Sequence, residues 1–213
     1  MFGNNIKLKP ESGDGSSLKV HSIFHTIQGE GPFAGRPATF IRLSGCNLAC
    51  NFCDTEFDSY EVLDVDLIAT RVLAHEGLVV ITGGEPFRQT LGPLCKLLTS
   101  YKKDVQIETN GTLYNEIDNK VTIVCSPKNV SGMYSRIRED ILVRATAIKF
   151  LISAYDKRYN DIHEVGQSDY NIPVYVQPMD EYDDEKNKAN MLKAIEIAKS
   201  YNVILGTVNK GCI

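Results

Sequence analysis

Residues 38–55, ATFIRLSGCNLACNFCDT, join a predicted strand to a loop that carries three cysteines. The run 38–43 is rich in apolar, β-branched and aromatic residues, which favours a strand. Cys46, Cys50 and Cys53 follow it as C-x₃-C-x₂-C. Thiolates at this spacing can turn toward one centre, as a soft iron–sulfur cluster requires. The segment therefore predicts a strand that ends in a cluster-binding loop.

Two other interpretations of this loop are a zinc site and three unligated thiols. A structural zinc site needs a fourth cysteine or histidine at a suitable spacing, and neither His75 nor Cys95 has it. Three cluster ligands, by contrast, leave one iron open for chemistry. Cys95 and Cys125 stand apart from the motif, and we expect them to be small buried hydrophobes.

Outward from this loop, β-branched apolar runs alternate with helix-like segments. The alternation predicts an α/β fold with a parallel sheet and right-handed crossovers. Further strands are predicted over 78–82, 104–109, 121–125, 147–152, 172–177 and 203–208, and helices over 64–77, 91–103, 155–165 and 184–202. Too few β/α units fit for a closed eight-fold barrel, so we expect about six β/α units in a partial, open barrel.

The polar, Gly- or Pro-containing clusters of the chain directly follow the predicted strands. Ligands of α/β proteins bind at the carboxyl ends of the strands, so these loops are expected to surround one site. The clusters are SGCNLAC (44–50), GGEP (83–86), NG (110–111), SPK (126–128) and QPM (177–179). We expect a flexible tail over 1–19, which is polar and rich in Gly, Ser and Lys, and a single domain over 20–213.

Charge and hydropathy narrow the class of partner. The net charge is −4, and no dense basic patch offers the electrostatic footprint of a nucleic-acid-binding protein. The sequence shows neither an apolar stretch of membrane-spanning length nor a signal peptide. These observations favour a cytoplasmic protein with a small-molecule substrate and no direct nucleic-acid or membrane partner.

The cysteine motif, with Phe52 before its last cysteine, resembles the signature of the radical S-adenosylmethionine (SAM) superfamily. That resemblance implies a [4Fe–4S] cluster on Cys46, Cys50 and Cys53, whose open iron binds SAM. The flanking segment IFHTIQGEGPFAGRPATFIRLSGCNLACNFCDT (23–55) is similar to the 7-carboxy-7-deazaguanine synthase family. The similarity continues through ITGGEP (81–86), QIETNG (106–111), SPK and VQPM (176–179), so it spans roughly residues 22–180. It implies a partial barrel of the radical SAM type.

The family resemblance also implies a reaction. Its substrate is 6-carboxy-5,6,7,8-tetrahydropterin, which rearranges to 7-carboxy-7-deazaguanine with loss of ammonia in deazapurine (queuosine-type) biosynthesis. SAM is regenerated and acts as a cofactor, and Mg²⁺ is required. The family further implies a reducing electron donor such as flavodoxin and a homodimer.

Site residues carry over to this chain motif by motif. No side chain is implied as a catalytic acid or base, because the chemistry takes place on the cluster and SAM. Substrate contacts are implied for Ile27, Gln28, Gly29, Arg42 and Thr82, the Mg²⁺ contact for Thr55, and SAM contacts for Gly84, Glu85, Glu108, Asn110, Ser126, Pro127, Lys128, Gln177, Pro178 and Met179. Arg42 suits the substrate carboxylate, since guanidinium and carboxylate form bidentate pairs.

The two ends of the chain depart from the family pattern. Family members usually end in a Q-T-H-K-like segment that helps to close the substrate site, whereas this chain ends in TVNKGCI (207–213). Only Lys210 fits, so the sequence leaves open whether this end closes the substrate site and whether Ile213 has a role there. The N-terminal tail is longer than is usual in the family.

Three other functions remain open at this point. A glycyl-radical-enzyme activase would share the cysteine motif but would not need IQGEG (27–31) or Arg42. A tRNA-modifying radical SAM enzyme fits an acidic chain poorly. The third is a non-catalytic iron–sulfur module that has kept the cysteine loop and lost the chemistry. The intact GGEP, Arg42 and CDT elements argue against it.

Overall fold

The computed structural model describes residues 6–53 and 55–206. In this part of the chain, strands form one sheet in the order β3-β1-β2-β4-β5-β6-β7-β8-β9. The strands are β1 Ser17–Ile27, β2 Pro37–Leu43, β3 Glu61–Asp64, β4 Leu78–Gly83, β5 Val105–Thr109, β6 Thr122–Cys125, β7 Ala145–Ile152, β8 Val174–Pro178 and β9 Ile204–Leu205. The helices are α1 Val65–Leu73, α2 Gly92–Ser100, α3 Glu139–Leu142 and α4 Asp184–Tyr201.

Strands β2 and β4 to β9 pair in parallel in chain order, as the alternating pattern predicted. Among the described residues, the connections β5 to β6 and β7 to β8 contain no α-helix, whereas the other connections between parallel strands contain one each. The sheet ends at β3 on one side and β9 on the other, so it stays open. The expected open α/β architecture is confirmed.

A row of isoleucines on the central strands forms the middle of the core. Ile41 lies opposite Ile81, Ile81 opposite Ile107, and Ile107 opposite Ile123. All four side chains are fully buried. Successive side chains of a strand point to opposite faces, so the residue after each isoleucine points to the other face of the sheet. There lie Arg42, Thr82 and Glu108.

The helix predicted over 155–165 is wrong. The structure has turns and bends there, and its next helical element is a short 3₁₀ turn at Ser168–Tyr170. The Ser153 hydroxyl accepts hydrogen bonds from the backbone N–H groups of Tyr155 and Asp156. Such side-chain to backbone bonds offer the chain an alternative to helix. The turns bury Tyr159 completely.

Two strands at one side of the sheet were not predicted. β1 pairs antiparallel with both β2 and β3, so the sheet is mixed. The expected tail over 1–19 also differs from the structure, because 17–19 belong to β1 and Leu18 is buried. The backbone N–H of Glu11 donates to the carbonyl of Arg88 at 2.7 Å, so the segment before β1 also packs on the domain.

No helix within residues 6–53 and 55–206 is both long enough and apolar enough to cross a membrane.

Candidate active site

A cavity of about 660 Å³ lies against the sheet face that carries Arg42, Thr82 and Glu108. The loops that follow the strands also line it. It brings together all but two of the residues that the sequence placed in the site. Those that line it are Ile27, Gln28, Gly29, Arg42, Cys46, Cys50, Cys53, Thr55, Thr82, Gly84, Glu108, Asn110, Ser126, Lys128, Gln177, Pro178 and Met179. Glu85 and Pro127 are buried and do not line it.

The three clustered cysteines line this cavity. Burial raises the pKa of Cys46 to about 11 and also raises that of Cys50. Within the described residues, no three His, Cys, Asp or Glu side chains are arranged to hold one metal ion. A cluster binds each thiolate through a different iron, so its ligands stand farther apart than those of a single ion. Three thiols on one cavity, with no histidine or further cysteine lining it, suit an iron–sulfur cluster.

The backbone after β4 packs tightly on the cysteine loop. Gly84 N–H donates to the Leu43 carbonyl at 3.2 Å, and Glu85 N–H donates to the Gly45 carbonyl at 2.9 Å. A Cβ atom on Gly84 would lie 2.0 Å from the Gly45 carbonyl oxygen. Glycine at position 84 therefore lets the GGEP segment approach the cysteine loop, as close backbone contact demands.

Glu85 anchors the loops after β4 and β5. Its fully buried carboxylate accepts hydrogen bonds from the Thr109 hydroxyl and the Asn110 N–H, both at 2.7 Å, and from the Phe87 N–H at 3.1 Å. Burial raises the pKa of Glu85 to about 7, although the three hydrogen bonds favour the ionised form. The Glu85 side chain therefore holds the wall of the cavity, and the SAM contact predicted for this residue stays a prediction.

Asn110 connects the Glu85 carboxylate to the cysteine loop through hydrogen bonds. Its side-chain amide donates to Asn47 Oδ1 at 3.0 Å, and Asn47 Nδ2 donates to the Thr112 hydroxyl at 2.7 Å. Asn110 is buried and lines the cavity. The NG turn after β5 is therefore bonded to the residue that follows Cys46.

Arg42 presents a cation to the cavity from the end of β2. Its guanidinium lies over the Phe24 ring, 5.3 Å from the centroid, and its buried Nε has no hydrogen-bond partner. Among the described residues, no carboxylate lies within salt-bridge distance of Arg42. A buried donor without a partner is costly unless a ligand satisfies it, so Arg42 is available to bind an anion.

Glu108 lies at the centre of a group of polar side chains on the same face of the sheet. Its carboxylate accepts from Gln28 Nε2 at 2.9 Å, Gln106 Nε2 at 3.1 Å and the Thr82 hydroxyl at 3.4 Å. Gln28 and Thr82 are predicted substrate contacts, whereas the sequence placed Glu108 with SAM. The geometry groups Glu108 with the substrate residues.

A buried ion pair beside Glu108 escaped the sequence analysis. The Lys149 ammonium, whose side chain is 8% exposed, pairs with Glu30, and Lys149 and Glu30 both line the cavity. Burial alone would lower the pKa of Lys149, but the charges of Glu30 and Glu108 outweigh it and raise the pKa. A lysine inside the apolar run AIKFLI (147–152) was a usable signal, since lysine is rarely buried without a partner.

The segments after β6 and β8 complete the wall. The Lys128 ammonium donates to the Ser126 carbonyl and hydroxyl, both at 2.7 Å. Burial, and then the charge of Lys149, lowers the pKa of Lys128. After β8, the Met179 N–H donates to the Ile152 carbonyl at 2.8 Å, which fixes the QPM segment against β7. The predictions about Lys210 and Ile213 lie outside the described residues.

Comparison with known proteins finds sequence relatives that share one name. A 7-carboxy-7-deazaguanine synthase from Rickettsia prowazekii is 52% identical over 207 residues, which cover 93% of this chain and 88% of the relative. One from Rhodospirillum rubrum is 39% identical over 203 residues, covering 85% and 83%. The crystal structure of QueE from Escherichia coli matches with a TM-score of 0.72 at 28% identity, covering 91% of this chain and 95% of that one. No family model matches the chain.

We expect Glu85→Gln to change how stability depends on pH. A carboxyl group whose folded pKa is raised contributes stability that is present below its unfolded pKa and is lost as pH rises through the folded value. With a rise from 4.5 to about 7, the stability of the native protein should fall relative to that of Glu85→Gln by roughly 2–3 kcal/mol between pH 5 and pH 8. Urea unfolding at several pH values measures this, with the exposed Glu76→Gln as the matched control. A difference in the free energy of unfolding that does not change with pH would contradict the raised pKa of Glu85.

Proposed function

The chain belongs to the 7-carboxy-7-deazaguanine synthase family, and we propose that it converts 6-carboxy-5,6,7,8-tetrahydropterin into 7-carboxy-7-deazaguanine with loss of ammonia. The reaction belongs to deazapurine biosynthesis of the queuosine type. Family membership decides against the glycyl-radical activase and against a non-catalytic module.

The observation that supports this assignment most is the joint placement of the cysteines and Arg42. Three thiols and a guanidinium that has no salt bridge among the described residues line the same cavity. The thiols suit a cluster, and the guanidinium suits the carboxylate of the substrate. A cavity of about 660 Å³ is within the size of small-molecule sites, which are typically about 300–1,000 Å³.

Cys46, Cys50 and Cys53 would hold the [4Fe–4S] cluster, and Gly84, Asn110, Ser126, Lys128 and the 177–179 segment would line the SAM side. When bound, the reduced cluster and SAM supply the radical that removes hydrogen from C6 of the substrate. The chain's part is to hold these groups together and to exclude water. The Glu85 carboxylate supports this wall through Thr109 and Asn110.

On the substrate side, Arg42 would bind the carboxylate and Glu108 would accept hydrogen bonds from N–H groups of the pterin ring. Thr82 and Gln28 orient the Glu108 carboxylate through the bonds described above. Lys149 offsets the charges of Glu30 and Glu108, and the Glu108 carboxylate lines the cavity as a hydrogen-bond acceptor. A neutral ring edge with donors therefore fits beside Glu108, and an anionic group fits beside Arg42.

Mg²⁺ would bind through the hydroxyl of Thr55, which lines the cavity next to the last cluster cysteine. Magnesium keeps several waters and binds through few protein oxygens, so one hydroxyl and the substrate carboxylate are chemically sufficient. We further propose a cytoplasmic homodimer that receives electrons from a donor such as flavodoxin and does not itself bind nucleic acid or membranes.

The reaction can be tested directly under anaerobic conditions. The protein, with its cluster reconstituted, is given dithionite, SAM, Mg²⁺ and 6-carboxytetrahydropterin, and 7-carboxy-7-deazaguanine is sought by mass spectrometry. We expect product, with SAM recovered intact. Formation of 5′-deoxyadenosine without that product would keep the radical chemistry and overturn the substrate assignment.

Replacing Arg42 by alanine should separate substrate binding from cofactor binding. We expect kcat/KM to fall about 100-fold, because the carboxylate loses a charged hydrogen-bond partner in a buried site. The cluster spectrum and the Kd for SAM should not change. Arg71→Ala, on the surface of α1, is the control. Native turnover in Arg42→Ala would remove Arg42 from the site.

Glu108→Gln tests whether this carboxylate faces substrate or SAM. We expect kcat/KM for the pterin to fall about 10- to 100-fold, because an amide is a weaker and partly mismatched acceptor, while the Kd for SAM stays constant. The exposed Glu116→Gln is the matched control. A weakened Kd for SAM with an unchanged KM for the pterin would return Glu108 to the role that the sequence predicted.

A further inference from the structure

The segment before β1 lies directly against the cysteine loop. Residues 7–13 are here called the N-terminal strap. The Leu8 N–H donates to the carbonyl of Cys46 at 2.8 Å, and Lys7 and Cys46 form an isolated parallel bridge. The strap therefore bonds to the backbone of the first proposed cluster ligand.

A buried arginine joins the strap to this loop. Arg88 is 3% exposed and follows the GGEP segment. Its Nη1 donates to the Ser44 carbonyl at 3.2 Å, while its Nη2 donates to the Lys9 carbonyl at 2.9 Å and to Glu11 Oε1 at 3.2 Å. One guanidinium thus bonds both the residue two positions before Cys46 and the strap.

The strap supplies the counter-charge and a carbonyl acceptor for the buried Arg88 guanidinium. Among the described residues, Glu11 holds the one carboxylate within salt-bridge distance of Arg88. The Lys9 carbonyl accepts from Nε as well, at 3.2 Å. A buried charge without its partner is strongly destabilising. Arg88 and the strap therefore form one unit, and loss of the strap would leave Arg88 paired with Ser44 alone.

Arg88 and the strap pack closely against the cysteine loop at Gly45. Gly45 has a φ of +81°, and a Cβ atom there would lie 2.3 Å from Arg88 Nη1 and 2.9 Å from Leu8 Cδ1. Arg88 and Leu8 therefore occupy the space beside the residue that precedes Cys46. A loop that moved at this point would have to displace both.

Ordinary packing of a chain terminus does not account for this pattern. Lys7, Leu8 and Lys9 are all exposed, so the strap buries little apolar surface. Apart from the Leu8 side chain beside Gly45, its contacts are hydrogen bonds and ion pairs, and those of Leu8 and Lys9 lead to the Ser44–Cys46 backbone, directly or through Arg88. The strap thus adds little to the core, while it constrains the backbone of one cluster ligand.

We propose that the N-terminal strap, acting through Arg88, fixes the Cys46 end of the cysteine loop in the conformation that holds the cluster. Glu11 and Arg88 are positioning residues in this scheme. The inference rests on the proposed cluster site, and it assigns a function to the N-terminal extension of this chain. The strap should slow loss of iron and restrict the Cys46 thiol even before the cluster is inserted.

The test uses two variants of the full chain and one deletion. Glu11→Gln removes the carboxylate but keeps the strap, Arg88→Met removes the cation, and deletion of residues 1–13 removes the strap. Glu61→Gln, which breaks an exposed ion pair on β3, is the matched control. Iron release to a chelator is followed on the cluster-loaded protein. Iodoacetamide labelling of Cys46 is followed by mass spectrometry before cluster loading, with the fully buried Cys125 as an internal probe of the fold.

We expect Glu11→Gln to speed both iron release and Cys46 labelling about fivefold, as loss of one partner of a buried charged bond would do. Arg88→Met and the deletion should have larger effects, and Glu11→Gln should add nothing in the Arg88→Met background. Cys125 should stay unlabelled in Glu11→Gln.

Three results would overturn the proposal. One is native rates of Cys46 labelling and iron release in Glu11→Gln. Another is labelling of Cys46 and Cys125 that rises equally in Glu11→Gln, since that is general destabilisation. The third is additive effects of Glu11→Gln and Arg88→Met. If the deletion unfolds the chain, Glu11→Gln alone decides. Since labelling needs no cluster, a protein that fails to form one refutes the proposed function but leaves this test intact.

Discussion

The register of the central parallel strands is the constraint on which the site depends. The isoleucine row Ile41, Ile81, Ile107 and Ile123 is fully buried, so a slip of one residue in any of these strands would exchange the two faces of that strand. Arg42, Thr82 and Glu108 each follow one of these isoleucines. The energy that keeps hydrophobic side chains in the core therefore also places the polar residues on the cavity.

On the cavity face, Lys149 has a carboxylate partner, whereas Arg42 and Lys128 have none among the described residues. The Lys128 ammonium donates to Ser126 instead. Lys149 pairs with Glu30 and lies near Glu108, while Glu108 is held by neutral donors. Arg42 has no such counterpart among the described residues, although its Nε is buried. A buried donor without a partner is costly unless a ligand satisfies it, which is why the Nε of Arg42 indicates an anionic substrate.

What the sequence could predict was local. The cysteine motif, the glycines of GGEP and the polar turns after apolar strands are read from neighbouring residues, and the cavity contains nearly all of them. β1 and β3 could not be predicted in the same way, because their pairing depends on segments far along the chain. The orientation of the Glu85 carboxylate was hidden for the same reason, since Thr109 and Asn110 become its neighbours only in the folded sheet. The pattern over 155–165 was outweighed by the hydrogen bonds of Ser153.

The contact between Gly84 and Gly45 also orders events in time. The cysteine loop lies within the crossover that joins β2 to β4, and parallel strands can pair only after such a long connection has closed. Long-range pairing of this kind is a slow step of folding. Because Gly84 arrives with β4 and packs against the Gly45 carbonyl, the loop acquires its shape only once that pairing exists. The three thiols of this loop therefore come together late, after the sheet has formed, and until then they are open to oxidation.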